Sequence, residues 1–350
     1  MKKNKRIVIA FASVPFNRGG AELHVESLHR ELIKRNYQCE LISLPFKWYP
    51  KEEILKSAFA WRLLDLSESN GQKIDMVIAT KFPSYWVKHD NKITWLIHQF
   101  RQVYDLYGTP YSDFTDSSHI DKSIREDIIR TDRIVLTESK KIFTNAQNTS
   151  NRLRLYNGID GEPLYHPPSL VGRYFNADIG DYILSVGRLD SLKRIDLLIE
   201  AIARTKSQVK CIIAGTGPHE DTLRKIAKSR GIIERVKFAG FVSDEDLLKL
   251  YSNCLAVYYA PFDEDYGYVT LEAFLSKKPI ITCEDSGGVL EFAENGVNSL
   301  ITKPNQQEVA DAIDKLFYDH NKVTQFGLNG YERVKDISWD NVINRLTETL

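Results

Sequence analysis

The sequence predicts an α/β protein with two doubly wound domains, and three observations support this. In each half, short apolar runs typical of buried parallel strands alternate with segments whose apolar residues recur at helical spacing. Residues 157–180, between the halves, contain three prolines and four glycines. The length of 350 residues suits two domains that each bury a core. The predicted segments are a first domain at 1–165, a linker at 166–180, a second domain at 181–335 and a C-terminal helix at 336–350.

The first half begins with a continuous apolar run at residues 6–12, which predicts a strand covered on both faces. After the turn NRGG, apolar residues recur at helical spacing from Ala21 to Leu32 and predict an amphipathic helix. The other predictions for this half are strands at 39–44, 74–79, 93–97, 133–137 and 153–156, and an irregular aromatic loop at 104–118.

The second half continues the alternation and ends in a segment, 339–350, that is predicted to be helical. Its predicted strands lie at 181–186, 210–214, 236–238, 255–260 and 279–283, and its predicted helices at 195–203, 220–230, 244–251 and 271–276. In doubly wound sheets, ligands bind outside the carboxyl ends of the strands. Polar motifs directly after these strands are therefore the first places to look for a site.

Composition excludes several classes of protein. Apolar residues make up 43% and charged residues 27% of the chain, as in soluble globular proteins. The 47 basic and 47 acidic residues cancel, so no bulk attraction to nucleic acid is expected. No apolar stretch is long enough to span a bilayer. The four cysteines lack CxxC spacing and are expected to be buried, reduced thiols, as in a cytoplasmic protein.

The N-terminal segment MKKNKRIVIAFA places basic residues before an apolar run, as a signal peptide does. The run is short and is followed by SVPFNRGG instead of a cleavage site, so it is interpreted as the first strand. Its cations Lys2, Lys3, Lys5 and Arg6 are expected to be solvated. Peripheral docking on an anionic membrane surface is left open as an alternative.

Two charged motifs follow predicted strands. The segment EDYGYVTLEA contains Glu264 and Glu272 with Gly267 between them, where a backbone without Cβ can approach a ligand closely. About seventy residues upstream, ILSVGRLDSLKR contains Arg188 and Lys193. Carboxylates accept hydrogen bonds from sugar hydroxyls, and cations bind diphosphate. The combination predicts a nucleotide-sugar site.

On these motifs and their order, nearly the whole chain resembles the retaining GT-B glycosyltransferases of family 4, the glycosyl transferases group 1. The resemblance implies two Rossmann-like domains that face each other across a cleft, with a C-terminal helix that crosses back to the first domain. It also implies that Arg188 and Lys193 bind the donor diphosphate, that Glu272 binds the ribose and that Glu264 faces the transferred sugar. The family pattern Glu-Gly-Phe-Gly-Leu is here Glu-Asp-Tyr-Gly-Tyr, so the donor identity stays open. The backbone amides implied to hold further sugar hydroxyls are those of Tyr266, Gly267 and Tyr268.

The turn GTGP lacks the third glycine of a dinucleotide fingerprint, because Glu220 occupies that place. An NAD enzyme is therefore not expected. By resemblance, Gly215 and Gly217 shape the donor pocket, and a plain tight turn is the alternative. Phe241 and Val242 match the residues that hold the base, with a core role as the alternative for Phe241. The loop 285–288 is expected to border the sugar site.

In the first domain, Gly19 and Gly20 lie in a turn before a helix, and helix N-termini attract phosphate. The resemblance implies that they lie near the donor diphosphate; the alternative is a turn that needs glycine for a positive φ.

His98 matches a family histidine near the transferred sugar, with a structural role as the alternative. The residues expected on the acceptor side are Arg101, Tyr104 and Asp105, and whether Asp105 acts as a base is left open.

The implied function is a retaining hexosyltransferase that uses GDP-mannose or a UDP-hexose. Its acceptor would be a saccharide or lipid-linked saccharide in surface polysaccharide synthesis, at the inner face of the membrane. No cofactor is expected besides the donor substrate. No metal is expected either, because the acidic segment 244–246 fits a helix start better than a metal site. The alternatives are a GT-B sugar-nucleotide epimerase or hydrolase, a phosphorylase-like enzyme, and a non-catalytic nucleotide-sugar binder.

Overall fold

The computed structural model describes residues 5–350, which form two compact units. One unit comprises the chain up to Ser169 together with Ser338–Leu350, and the other comprises Leu170–Ile337. Lys2 and Lys3, named above for membrane docking, lie outside the described residues. Across residues 5–350, no helix combines the length and apolar character needed to cross a membrane.

The first unit contains a six-stranded sheet and a short two-stranded one. Its strands are β1 (Arg6–Ser13), β2 (Gln38–Pro45), β3 (Glu68–Ser69), β4 (Gln72–Lys73), β5 (Met76–Ala79), β6 (Lys92–Leu96), β7 (Lys141–Thr144) and β8 (Glu162–Pro163). Its helices, apart from the one at the C-terminus, are α1 (Gly20–Lys34), α2 (Glu53–Arg62), α3 (His119–Thr137) and α4 (Gln147–Asn157).

The large sheet has the order β2-β1-β5-β6-β7-β8, and all its neighbouring strands are parallel. Alternate residues of β1 enter different cores. Ile7 and Ile9 lie in one apolar cluster, and Val8 and Ala10 lie in another. Burial on both faces explains the continuous apolar run and confirms the first strand.

Two predicted strands of the first half are wrong. Residues 133–137 are the last turn of α3, and residues 153–156 lie in α4. Ser118 starts α3 by accepting the amide of Asp121, and Ile124 and Ile128 continue its buried face at helical spacing. The β-branched run at 133–137 favours a strand locally. Residues 133–137 nevertheless stay in α3 because the run continues the buried face of that helix. The predicted loop 104–118 contains no helix or strand, as expected.

The second unit is a second doubly wound domain. Its strands are β9 (Tyr182–Val186), β10 (Lys210–Ala214), β11 (Val236–Gly240), β12 (Ala256–Tyr258), β13 (Ile280–Cys283) and β14 (Ser299–Thr302). Its helices are α5 (Ile195–Ile202), α6 (Glu220–Ser229), α7 (Asp244–Asn253), α8 (Tyr268–Leu275), α9 (Gln306–Phe317) and α10 (His320–Val334). The predictions for 181–283 are thus confirmed to within a few residues at each boundary.

The second sheet has the order β11-β10-β9-β12-β13-β14, with all pairs parallel. Leu184 in β9 pairs with Ile212 on one side and with Val257 in β12 on the other. The order of the strands reverses between β9 and β12, so helical crossovers leave in opposite directions there. Such a switch point opens a crevice at the carboxyl ends of the strands, where ligands bind.

The C-terminal segment belongs to the first unit and contains α11 (Trp339–Leu346). The apolar face of α11 joins the cluster that contains Ile7 and Ile9. The same cluster buries Trp95, whose ring contacts that of Trp339 edge to face at 6.2 Å between centroids. The four cysteines are buried and unpaired, as expected.

Two buried histidines next to α11 should make the protein sensitive to acid. The rings of His24 and His166 lie 4.1 Å apart, and His166 stacks on Trp339. Burial lowers the pKa of His166 to about 3. The pKa of His24 is also lowered, mainly by burial and to a smaller extent by the charge of His166. Below pH 6.5 these two histidines become protonated in the unfolded chain but stay neutral in the folded protein. The free energy of unfolding that is present above pH 6.5 therefore decreases as the pH falls. For His166 the loss at pH 5 is about 2 kcal/mol.

Urea unfolding at pH 8 and pH 5 measures this loss. His166→Phe, which keeps a stacking ring, should lose less stability between the two pH values than the original protein. The control is His219→Gln, which removes an exposed histidine. An unchanged dependence in His166→Phe would contradict the assignment.

Candidate active site

The cationic motif lies where β9 ends, beside the switch point. Gly187 and Arg188 follow the strand, Leu189 is buried, and a short 3₁₀ turn ends at Lys193. The side chain of Arg188 is exposed, and within residues 5–350 its guanidinium has no hydrogen bond or ion pair. An uncommitted planar guanidinium at this edge can bind an anion with two parallel hydrogen bonds.

The turn GTGP packs directly against this loop. The amide of Leu189 donates to the carbonyl of Thr216 at 3.0 Å. A Cβ at Gly215 would lie 1.9 Å from the carbonyl oxygen of Gly187, and one at Gly217 would lie 2.4 Å from that of Leu189. Backbone packing therefore explains both glycines. Their contact with a donor stays a prediction.

Alanine at Gly215 should destabilise the protein by at least about 2 kcal/mol, because the clash adds to an unfavourable φ of 140°. Gly231→Ala is the matched control: Gly231 also has a positive φ, 69°, but a Cβ there would meet nothing within 4 Å. It should cost only about 1 kcal/mol. Urea unfolding of both variants measures the difference, and equal losses would disprove the packing role.

Glu264 lies just beyond β12 and meets the cationic loop. Its backbone pairs with Gly287, and its Oε2 accepts hydrogen bonds from Lys193 Nζ and, at 2.9 Å, from the hydroxyl of Tyr259. Burial alone would lower the pKa of Lys193, but Glu264 and Tyr259 outweigh burial and the pKa lies above its ordinary value. Two residues predicted from separate motifs thus form one ion pair at the switch point.

Glu272 lies one helical turn into α8 and is held by a residue that the sequence analysis missed. The hydroxyl of Tyr251, fully buried in α7, donates to its Oε2 at 2.6 Å. Burial raises the pKa of Glu272, and the hydrogen bond from Tyr251 opposes that shift. Only the helical spacing of apolar residues in α7 could have indicated Tyr251, and that pattern does not show its partner.

Gly267 starts α8 with a left-handed φ of 83°. A Cβ there would come within 3.1 Å of the side chain of Val289 and 3.2 Å of the ring of Tyr259. The neighbouring Tyr266 is buried, and its ring contacts that of Tyr268 edge to face. The predicted amides of residues 266–268 lie at the start of α8, and their contact with the sugar stays a prediction.

Phe241 and Val242 follow β11 at the same edge of the sheet. Phe241 is 86% exposed, which excludes the alternative of a core role. Val242 is half-buried. An exposed aromatic ring at this edge can stack on a base, so the predicted contact keeps its chemical basis.

In the first unit, Gly19 precedes α1 and Gly20 is its first residue. The φ of Gly19 is −145°, and neither glycine has a positive φ, so the turn alternative is wrong. The Glu22 carboxylate accepts the amide of Gly19 at 2.8 Å and lies 3.4 Å from Nζ of Lys81. Lys81, which the sequence analysis missed, follows β5, the neighbour of β1. A lysine two residues beyond the end of a strand was the available signal.

His98 follows β6 at the carboxyl edge of the first sheet and is half-buried. Its Nδ1 lies 2.7 Å from the carbonyl oxygen of Gln99. A carbonyl only accepts, so Nδ1 carries the proton in this contact. The hydrogen bond orients the ring, and the predicted contact with the sugar stays a prediction.

The three predicted acceptor residues differ in their surroundings. Nε of Arg101 donates to Asp105 at 2.7 Å, and Arg152 lies 3.7 Å from the same carboxylate. Asp105 is thus an ion-pair partner, and a role as base stays a prediction. Tyr104 is 2% exposed, and its hydroxyl donates to the buried Asp132 at 2.7 Å. This correction places Tyr104 in the core instead of on an acceptor surface.

The acidic segment 244–246 opens α7, and the Ser243 hydroxyl accepts the amide of Asp246, as expected for a helix start. Within the part of the chain that the structure describes, no group of three or more histidine, cysteine or acidic residues could hold a metal ion. Whether the chain works without metal stays a prediction.

Comparison with known proteins finds glycosyltransferases that resemble part of this chain. The family model of the glycosyl transferases group 1 matches residues 176–333, which form most of the second unit. An uncharacterised glycosyltransferase of Methanocaldococcus jannaschii is 32% identical over 164 residues, which are 46% of this chain and 42% of that protein. The O-antigen chain mannosyltransferase C of Escherichia coli is 27% identical over 51% of this chain and 48% of its own. The matches thus span less than half the length of these curated relatives.

Solved structures extend the likeness over the whole chain. Sucrose-phosphate synthase from Thermosynechococcus elongatus superposes with a TM-score of 0.81 at 16% identity, covering 99% of this chain and 98% of its own. HepE from Anabaena, in complex with UDP and glucose, gives a TM-score of 0.70 at 17% identity, covering 98% and 99%. At such identities the likeness shows the fold. The chain therefore has the GT-B fold, and its residues 176–333 match the model of the glycosyl transferases group 1.

Proposed function

We propose that this chain is a retaining glycosyltransferase. It moves a hexose from GDP-mannose or a UDP-hexose to a saccharide or lipid-linked saccharide acceptor in surface polysaccharide synthesis. The observation that carries the proposal is the ion pair between Lys193 and Glu264 at the switch point, beside the exposed Arg188. Cations for a diphosphate and a carboxylate for sugar hydroxyls meet where doubly wound sheets bind ligands.

The relatives support both donors. One relative is an O-antigen chain mannosyltransferase and another is the human alpha-1,3/1,6-mannosyltransferase ALG2, 28% identical over 44% of this chain, which favours mannose. HepE, which shares the fold, was crystallised with UDP and glucose, which supports a UDP-hexose. The O-antigen relative also supports a role at the cell surface. In this proposal the enzyme is cytoplasmic and works at the inner face of the membrane.

The proposed reaction separates charge, and side chains of the site stabilise the charges that develop. As the bond to the sugar breaks, the diphosphate gains negative charge, which Arg188 binds with its planar fork and Lys193 with a point charge. These cations take the role that a divalent metal has in other transferases. The leaving phosphate removes the proton of the acceptor hydroxyl on the same face of the sugar, so the anomeric configuration is retained.

The remaining residues orient the donor. Glu264 accepts hydrogen bonds from the hydroxyls of the sugar, and Glu272, held by Tyr251, accepts them from the ribose. Phe241 stacks on the base. The proposed contacts of the first unit rest on the family resemblance. They are contacts of Gly19, Gly20 and His98 with the donor, and of Arg101 and Asp105 with the acceptor.

Thermal unfolding with a panel of UDP-, GDP-, ADP- and CMP-sugars tests the proposal, first without and then with a divalent metal. A ligand at about 100 times its dissociation constant should add about 2.7 kcal/mol of stability. Glu272→Ala should abolish the shift, whereas Glu234→Ala, on the exposed surface of the same unit, should keep it. No shift with any nucleotide would contradict the proposal. Release of free nucleotide without an acceptor would favour a hydrolase or epimerase.

A further inference from the structure

Arg194, directly after Lys193, combines three unusual properties. Its backbone is left-handed, with φ 49° and ψ 44°. That conformation costs a residue other than glycine roughly 1–2 kcal/mol, so contacts around the residue must offset the cost. The residue is 9% exposed and lies at the junction between the cationic loop and α5.

The guanidinium of Arg194 makes four hydrogen bonds. Nε donates to the carbonyl of Ala260 at 2.7 Å, and Nη2 donates to that of Pro261 at 2.9 Å. Nη1 and Nη2 also donate to the two carboxylate oxygens of Asp285, at 2.8 Å and 2.7 Å. The backbone carbonyl of Arg194 accepts the hydroxyl of the buried Tyr258 at 3.2 Å.

These contacts join three loops that leave the sheet at its carboxyl edge. Arg194 ends the loop after β9, Ala260 and Pro261 belong to the loop after β12, and Asp285 belongs to the loop after β13. The first two loops carry Lys193 and Glu264. Loops at such an edge are otherwise among the most mobile parts of a domain.

A few backbone hydrogen bonds run between the same loops. The amide of Phe262 donates to Leu192 at 2.8 Å, and the amide of Asp263 donates to Asp285 at 2.9 Å. The amide of Gly288 donates to the carbonyl of Glu264 at 2.8 Å. These backbone hydrogen bonds form only when the loops are aligned with one another. Arg194 belongs to the loop after β9, and its guanidinium contacts the loops after β12 and β13.

Electrostatics distinguishes Arg194 from its neighbour Arg188. The bidentate contact with Asp285 neutralises the charge of Arg194, and two carbonyls occupy further N–H groups. Such a group is unsuited to binding a phosphate. Arg188, which has no partner among residues 5–350, keeps its charge for that purpose.

We propose that Arg194 is a positioning residue whose guanidinium holds the three loops together, so that Lys193 and Glu264 present one preformed donor site. It acts through those residues and does not touch the donor. The choice of a nucleotide as a binding probe rests on the proposed function. The effect on the loops does not, so the two can fail separately.

Hydrogen exchange, followed by mass spectrometry, tests the effect on the loops. In Arg194→Met, amides at 259–265 and 284–288 should exchange faster than in the original protein. The matched control is Arg235→Met: Arg235 donates to the carbonyls of Ser207 and Val209, at the opposite edge of the same sheet. That control should leave the exchange of both segments unchanged. Arg194→Lys, which keeps a positive charge but lacks the fork, should show the same acceleration in milder form.

Calorimetric titration with UDP and with GDP tests the consequence for the site. The nucleotide that the original protein binds should bind Arg194→Met about 10- to 100-fold more weakly, the range that loss of a residue supporting the ligands costs at metal sites. Arg235→Met should bind it normally. Normal nucleotide affinity in Arg194→Met, or unchanged exchange in its loops, would overturn the positioning role. If the original protein binds neither nucleotide, the proposed function fails, while faster loop exchange would still support the loop-holding role.

Discussion

Replacing Arg188 by alanine is expected to lower turnover by about two to three orders of magnitude, the cost of losing one transition-state hydrogen-bond donor. The guanidinium is exposed and has no hydrogen bond or ion pair within residues 5–350, so its removal should barely change stability. The measurement is the rate of nucleotide release from the donor that the ligand panel identifies, with the matching acceptor present. Thermal unfolding of the same variant checks that the fold is intact.

Two further variants sharpen this result. Arg188→Lys should recover part of the rate, because it restores the charge but not the planar fork. Arg224→Ala, at an exposed arginine of α6, should keep the full rate. Near-normal turnover in Arg188→Ala would remove this residue from the site.

Replacing Lys193 by methionine is expected to reduce both activity and stability. It leaves the Glu264 carboxylate with the Tyr259 hydroxyl but without its cation. Breaking a buried pair costs about 3–5 kcal/mol, and we expect about 3 kcal/mol because the two side chains are 22% and 16% exposed. Urea unfolding measures the loss.

The double variant Lys193→Met/Glu264→Gln separates the two effects. Neutralising the Glu264 side chain should restore most of the stability, because a neutral amide in that place costs far less than a buried carboxylate that has lost Lys193. Turnover should stay low, since both proposed donor contacts are altered. A double variant as unstable as Lys193→Met would show that the charge of Glu264 is not the cause.

Local pattern was sufficient for the second unit up to residue 283. Each of its predicted strands is a short apolar run between polar residues, and burial of both faces of a parallel sheet requires such a run. The pattern was misleading at 133–137, where a β-branched run is the end of α3. At 133–137 a helix forms instead of a strand because the run continues the buried face of α3, to which Ile124 and Ile128 belong. Those two residues lie outside the five-residue run that suggested a strand.

The sequence by itself determined the two doubly wound domains and the positions of Arg188, Lys193, Glu264 and Glu272 beyond or near strand ends. Short-range spacing decides those features. The tertiary structure alone decided which of these residues meet. Lys193 contacts Glu264 across 71 residues, and Arg194 contacts Asp285 across 91. Those pairings depend on the order of strands in the sheet, which brings β9 beside β12. Hydrophobic periodicity specifies each strand but not its neighbours, so only the folded sheet could place these partners together.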